Sequence, residues 1–172
     1  MSAVPNPRRL LSESAYARID REVAKYPAEQ KQSAVMAALA IAQDEKGWVS
    51  VEVIEDVAGY LGMPPIAVHE VASFYNMYDT QAPGRFKLAV CTCLPCALRE
   101  GAKAGEYLKQ KLGIDYDETT ADGLFTLKQS ECLGACGDAP VMLVNNKRMC
   151  SFMSADKLDA LLDELKSKAR SD

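Results

Sequence analysis

The sequence has little histidine and no long apolar run, and each shortage excludes a class of function. His69 is the only histidine, so a metal site built on two histidines, such as a Rieske-type centre, is excluded. No apolar stretch approaches the ~20 residues that a membrane-spanning helix needs. The chain also lacks a P-loop and a G-x-G-x-x-G after a strand, so we expect it to carry no nucleotide or flavin site of its own.

The charge balance is mildly acidic, with a formal net charge of -4 over 172 residues. A nucleic-acid-binding protein would need a basic face, so the composition argues against that class. The first residues contain no apolar stretch of signal-peptide length, and we expect a soluble, cytoplasmic protein with no direct membrane insertion.

Six cysteines stand out in a chain without an export signal, and free thiols or metal ligands are then more common than disulfides. The segment "CTCLPC" supports two interpretations. Cys93 and Cys96 form a C-x-P-C, the spacing of a dithiol redox site. Cys91 and Cys96 form a C-x4-C, which suits a metal centre held from both sides of a turn.

The hydrophobic pattern divides the chain into four parts: a flexible arm over 1–12, a helical bundle over 13–80, an α/β domain over 81–168 and a tail over 169–172. Four helices are predicted in the bundle, because apolar residues recur at helical spacing between start and stop signals. Those signals are Pro27, Gly47, Ser50, Gly62 and Pro65. The group Phe74, Tyr75, Met77 and Tyr78 is either a docking surface or core, and core is the expectation.

The second half reads as β-α-β followed by β-β-α. Its predicted strands are 86–90, 124–130, 141–144 and 148–152, with one helix from Pro95 to Gly113 and a last helix after Ser154. Asn145 and Asn146 predict a tight hairpin turn between the last two strands. The predicted fold class is α+β or α/β, with a helical bundle followed by a small mixed sheet whose layout resembles that of thioredoxin.

Each of the first two strands runs into a cysteine pair: Cys91 and Cys96, then Cys132 and Cys136. If these strands are adjacent and end on the same side, four thiolates meet at one edge of the sheet. Thiolates are soft ligands that suit an iron–sulfur centre or zinc, and a pure dithiol function also stays open. Gly134 and Gly137 beside the second pair would let backbone amides approach an anionic centre, or serve only as turn residues.

Several segments make a more specific likeness: "EVASFYNMY", "VCTCLPCALREGA", "GLFTLKQSECLGACGDAPVMLVNN" and "SADKLDALLDEL". Over about residues 13–167 the chain resembles the small 2Fe-2S subunit of the NADH-dehydrogenase module of respiratory complex I, a thioredoxin-like ferredoxin. By position, Cys91, Cys96, Cys132 and Cys136 match the four ligands of that family. Cys93 departs from the family pattern and is expected to be a non-ligand, and Cys150 is expected to be an ordinary apolar residue. The thioredoxin-like layout also places a cis proline at Ala139–Pro140 as a hypothesis.

The resemblance implies a one-electron carrier that holds a 2Fe-2S cluster beside the FMN of a larger, NADH-binding partner subunit of NADH:quinone oxidoreductase. It implies an enzyme subunit without independent catalysis, bound through the complex to the cytoplasmic face of the inner membrane. The alternatives are the equivalent subunit of an NAD-linked hydrogenase or formate dehydrogenase, a thiol-disulfide oxidoreductase using Cys93 and Cys96, and a zinc-stabilised interaction module.

Overall fold

The computed structural model describes residues 9–171 and divides the chain into two compact units, Met1–Ala82 and Pro83–Asp172. Residues 1–8 of the predicted arm lie outside the described residues. The last residues of that arm are packed against the first unit: Leu11 is buried, and the Leu10 amide donates a hydrogen bond of 3.2 Å to Asp56 Oδ2.

Within residues 9–82 there are four α-helices, as the sequence predicts: α1 (Glu13–Val23), α2 (Val35–Lys46), α3 (Val51–Leu61) and α4 (Pro65–Phe74). Their ends follow local chemistry, because the Ser50 hydroxyl accepts a hydrogen bond from the Val53 amide and begins α3. Gly47 and Gly62 end α2 and α3 in the left-handed conformation, with φ of 84° and 70°. A 3-10 segment over Ala28–Ala34, with a kink at Gln30, precedes α2.

The core of this unit includes Ile19, Leu39, Val57 and Val68, all fully buried. The expectation that the aromatic group after α4 is core is wrong for most of its members. Tyr78 is buried and its hydroxyl donates to the Met36 carbonyl at 2.7 Å, whereas Phe74, at the end of α4, is 79% exposed.

A four-stranded mixed sheet organises the second unit, in the order β2-β1-β3-β4. The strands are β1 (Phe86–Cys91), β2 (Phe125–Ser130), β3 (Met142–Val144) and β4 (Arg148–Cys150). β1 is parallel to β2 and antiparallel to β3, and all of its residues are buried. Asn145 and Asn146 have φ of 50° and 57°, which confirms the tight turn between β3 and β4.

Three helices accompany the sheet: α5 (Leu94–Leu98), α6 (Gly101–Leu112) and α7 (Ala155–Ser171). The prediction of one continuous helix after the first cysteines is wrong. The helix breaks at Glu100, which has φ of 69°, and Leu98 just before the break is 76% exposed. α7 continues through most of the residues expected to form a tail.

Leu88, Leu108, Leu127 and Leu158 are the fully buried centre of the second unit. They come from β1, α6, β2 and α7, so the sheet is packed against both helices. Across residues 9–171, none of the helices has the length and apolar character needed to pass through a membrane.

Candidate metal centre

The two cysteine-bearing loops leave the sheet at the same edge. β1 and β2 are parallel neighbours, and their register places Cys91 opposite Ser130. The Thr92 amide extends this pairing by donating to the Ser130 carbonyl at 3.2 Å. The prediction that both loops meet at one edge is therefore confirmed, and it follows from the parallel pairing of the two strands.

Cys132 and Cys136 form the first close sulfur pair, with 3.6 Å between their Sγ atoms. Two thiolates bound at ~2.3 Å to one tetrahedral metal lie about 3.8 Å apart, so this spacing fits a shared metal. Both side chains are exposed, which places this side of the site at the surface.

A backbone amide in the loop between these two cysteines donates a hydrogen bond to a cysteine sulfur. Gly134 has φ of 76° and its amide donates to Cys132 Sγ at 3.4 Å, as expected for an amide near an anionic centre. A Cβ added at Gly134 or at Gly137 would meet nothing within 4 Å, so neither glycine is required by a close contact. The positive φ explains glycine at position 134, and no such feature applies to Gly137.

Cys91 and Cys96 form the buried side of the site, each 1% exposed. Cys91 lies at the end of β1, where its amide donates to the Val141 carbonyl at 3.1 Å, and Cys96 lies on the short helix α5. The two thiols pack with Ala139 and Val141 in a small apolar cluster. The Ala139–Pro140 peptide bond beside them is cis, as hypothesised.

The pKa values of Cys96 and Cys136 are both raised, and neighbouring cysteines contribute to each shift. Burial is the largest cause that raises the pKa of Cys96; a backbone hydrogen bond with Val141 opposes it, and a hydrogen bond with Cys91 adds to it. The pKa of Cys136 is raised first by its hydrogen bond with Cys132, and the charge of Cys91 in the other loop adds to this. A metal ion bound here would replace the thiol protons, because cysteine binds metals as the thiolate.

The four cysteine thiols form two close pairs, Cys91 with Cys96 and Cys132 with Cys136. Among residues 9–171, no three histidine, cysteine or acidic side chains converge closely enough to hold a single metal ion. A 2Fe-2S centre takes four thiolates shared between two irons, and two close thiol pairs fit this donor set.

Cys93 lies in the loop after β1 and is hydrogen-bonded to a carboxylate of the loop after β2. Its thiol donates to Glu131 Oε2 at 3.2 Å, and this hydrogen bond is the largest cause that raises the pKa of Cys93 to about 11. Cys150 lies on β4 among the apolar residues of the sheet, 7% exposed, and burial raises its pKa. Its surroundings agree with the expected apolar role.

The backbone of Val141 also helps to position the buried cysteines, and the sequence did not predict this role. It contacts both buried cysteines, accepting a hydrogen bond from the Cys91 amide and hydrogen-bonding to the Cys96 side chain. Because these hydrogen bonds use backbone atoms of Val141, no pattern of side chains in the sequence predicts them. The only indication in the sequence is the position of Val141 directly after the Ala139–Pro140 pair.

The fold and the paired cysteines define a thioredoxin-like domain built around a thiolate site, and comparison with known proteins identifies its family. Residues 19–166 match the model of the thioredoxin-like [2Fe-2S] ferredoxin family. The chain belongs to this family.

Curated relatives of known name align with most of the chain. NADH-quinone oxidoreductase subunit 2 of Thermus thermophilus is 39% identical over 152 residues, which cover 88% of this chain and 84% of that protein. A Rickettsia conorii protein, also named as an NADH-quinone oxidoreductase subunit, is 40% identical over 146 residues, covering 84% and 87%. The mitochondrial NADH dehydrogenase [ubiquinone] flavoprotein 2 of Dictyostelium discoideum is 39% identical over 151 residues, covering 87% and 61%.

Solved structures of an NAD+-reducing [NiFe]-hydrogenase contain a similar fold. In the H2-reduced state the TM-score is 0.67 with 22% identity, and the match covers 77% of this chain and 22% of that chain. At this identity the likeness supports the fold alone. It agrees with the thioredoxin-like arrangement expected for the domain.

Proposed function

We propose that this chain is the one-electron carrier subunit of an NADH:quinone oxidoreductase, with a 2Fe-2S cluster held by Cys91, Cys96, Cys132 and Cys136. The observation that carries the proposal is the meeting of two cysteine pairs at one edge of the parallel β1–β2 pair. The Sγ atoms of the exposed pair, Cys132 and Cys136, lie 3.6 Å apart. Family membership supplies the chemical identity of the centre.

Bound there, a 2Fe-2S centre supplies one-electron storage without bond chemistry. The chain's own residues divide the remaining work. Cys91 and Cys96 bind from the buried side, where apolar neighbours exclude water, and Cys132 and Cys136 bind from the exposed side. The Gly134 amide donates toward Cys132 sulfur and offsets negative charge on it.

The electron donor is proposed to be the FMN of a larger partner subunit that also binds NADH. The sequence has no nucleotide-binding motif, whereas its relatives are named as subunits or flavoproteins of NADH dehydrogenases. Leu94 and Leu98 on α5 are 71% and 76% exposed on the helix that carries Cys96. We propose that this cysteine edge faces the partner, so that the cluster and the flavin lie close together.

This assignment places the protein in the peripheral part of the complex, on the cytoplasmic face of the inner membrane. The second candidate is the equivalent subunit of an NAD-linked hydrogenase, which the structural likeness to the NAD+-reducing hydrogenase favours at the level of the fold. Affinity purification of the tagged chain from its own cells separates the two, because a quinone-reductase assembly and a hydrogenase assembly bring different partner subunits.

The thiol-disulfide alternative has less support. A redox dithiol needs an accessible thiolate of lowered pKa. The pKa of Cys93 is raised to about 11 by its hydrogen bond with Glu131, and Cys96 is buried with a raised pKa. Neither thiol has the environment of an attacking nucleophile.

Serine substitution of single cysteines tests the ligand set. Changing Cys91, Cys96, Cys132 or Cys136 should remove visible absorption and lower the iron and acid-labile sulfide content. Cys93→Ser and Cys150→Ser are the matched controls and should keep both. Circular dichroism checks that each variant is folded. A Cys93→Ser variant that lost its iron, beside a Cys91→Ser variant that kept it, would reassign the ligand and contradict the proposal.

A further inference from the structure

The break between α5 and α6 brings the first residue of α6 back against the cysteine segments. Glu100 precedes α6 in the left-handed conformation, with φ of 69° and ψ of 19°. Gly101 follows it as the buried first residue of α6. A left-handed residue therefore separates the helix that carries Cys96 from α6.

Gly101 is in close contact with the backbone of both buried cysteines. A Cβ built on Gly101 would lie 2.8 Å from the Cys96 carbonyl oxygen and 2.9 Å from the Cys91 carbonyl oxygen. The same Cβ would lie 2.9 Å from the Cys96 carbonyl carbon. All three contacts are to backbone atoms, which cannot rotate away as the end of a side chain can. Any other residue at this position must therefore displace the peptide units of Cys91 or Cys96.

We propose that Gly101 is a positioning residue for the metal centre: its missing side chain lets α6 pack directly on the peptide units of Cys91 and Cys96 and sets their separation. The inference rests on the proposed function, because it takes these two cysteines as cluster ligands. Three segments meet at this contact, namely the end of β1, the helix α5 and the start of α6. A methyl group there would push apart two ligands that must bind within one centre.

The chain supplies two matched controls. Gly137 directly follows the proposed ligand Cys136, but a Cβ there meets nothing within 4 Å. Gly105 lies one turn further along α6, and a Cβ there would meet the Tyr116 hydroxyl at 1.9 Å, which is the movable end of a side chain. Gly137→Ala tests a methyl group beside a ligand without a clash, and Gly105→Ala tests a clash on the same helix without contact to a cysteine.

The test compares Gly101→Ala with both controls in the full chain, prepared with its iron and sulfide. Changing the residues that orient metal ligands typically weakens metal binding by roughly ten- to a hundredfold, so iron should pass to a chelator correspondingly faster in Gly101→Ala. Its EPR g values should also shift, while both controls keep the wild-type spectrum and rate. Unchanged g values and iron release in folded Gly101→Ala would overturn the proposal.

A second measurement needs no variant and covers the case in which Gly101→Ala does not fold. In the NMR spectrum of the wild-type protein, an iron centre should broaden the Gly101 amide and α-proton signals more strongly than those of Gly105. Sharp Gly101 signals in iron-loaded protein would contradict the placement of Gly101 against the ligands. If the wild-type chain takes up no iron and sulfide, the proposed function fails first, and this outcome is distinct from a failure of the Gly101 proposal.

Discussion

The two stacked tyrosines of the helical unit offer a matched test of how burial sets the strength of a hydrogen bond. The rings of Tyr16 and Tyr60 lie 4.7 Å apart, and each hydroxyl donates to a carboxylate at 2.6 Å. The Tyr16 hydroxyl bonds to Asp56, and both residues are 2% exposed. The Tyr60 hydroxyl bonds to the exposed side chain of Asp20.

Tyr16→Phe should therefore destabilise the unit far more than Tyr60→Phe. A buried hydrogen bond to a charged partner contributes about 1.5–3 kcal/mol, and its loss leaves Asp56 Oδ2 with one partner fewer. The Leu11 amide, which donates to the Tyr16 hydroxyl at 3.4 Å, loses its acceptor as well. We expect a loss of about 2 kcal/mol for Tyr16→Phe. Water can replace the partner of Asp20, so Tyr60→Phe should cost less than about 0.5 kcal/mol.

Urea unfolding followed by tryptophan fluorescence measures this difference. Trp48 is the only tryptophan in the sequence and lies between α2 and α3, so its emission reports on the helical unit. The midpoint should fall clearly for Tyr16→Phe, with an unchanged slope, and barely for Tyr60→Phe. Equal losses in the two variants would refute the argument that burial decides the strength of these bonds.

Three further predictions concern pH, a helix end and the sheet. Burial and the hydrogen bond to Asp20 raise the pKa of Tyr60 to about 12. The unfolded chain therefore loses this proton at lower pH than the folded chain, and the free energy of unfolding of the helical unit should fall between about pH 10 and 12. Urea titrations over this pH range should show a smaller fall for Tyr60→Phe. Gly47→Ala should cost about 1 kcal/mol in the same assay, because φ is 84° and the added methyl group meets no atom. Leu127→Ala should cost about 2–5 kcal/mol, measured by circular dichroism, because Leu127 is fully buried in β2.

Much of the fold could be predicted because its signals are local. Ser50 begins α3 with a side-chain hydrogen bond, and Gly47 and Gly62 end helices at positive φ, so each boundary depends on one residue type at one position. The meeting of the cysteine pairs was also predictable, since two strands that each run into a pair need only be parallel neighbours. The sheet order satisfies that condition.

The remaining features depend on tertiary contacts that no local pattern encodes. Glu100 takes a left-handed conformation without being glycine or asparagine, and this hides the break between α5 and α6. Leu98, the last residue of α5, is exposed just before this break. Phe74 has the apolar character of a core residue, and only the three-dimensional packing shows that it lies at the surface.

The central claim is that four thiolates from two loops bind one pair of bridged irons. The most direct measurement is the EPR spectrum of the dithionite-reduced wild-type protein, recorded with iron and acid-labile sulfide analysis of the same sample. We predict the signal of one reduced 2Fe-2S centre per chain, with iron and sulfide in equal amounts. A colourless protein that contains stoichiometric zinc and gives no EPR signal after reduction would contradict the account.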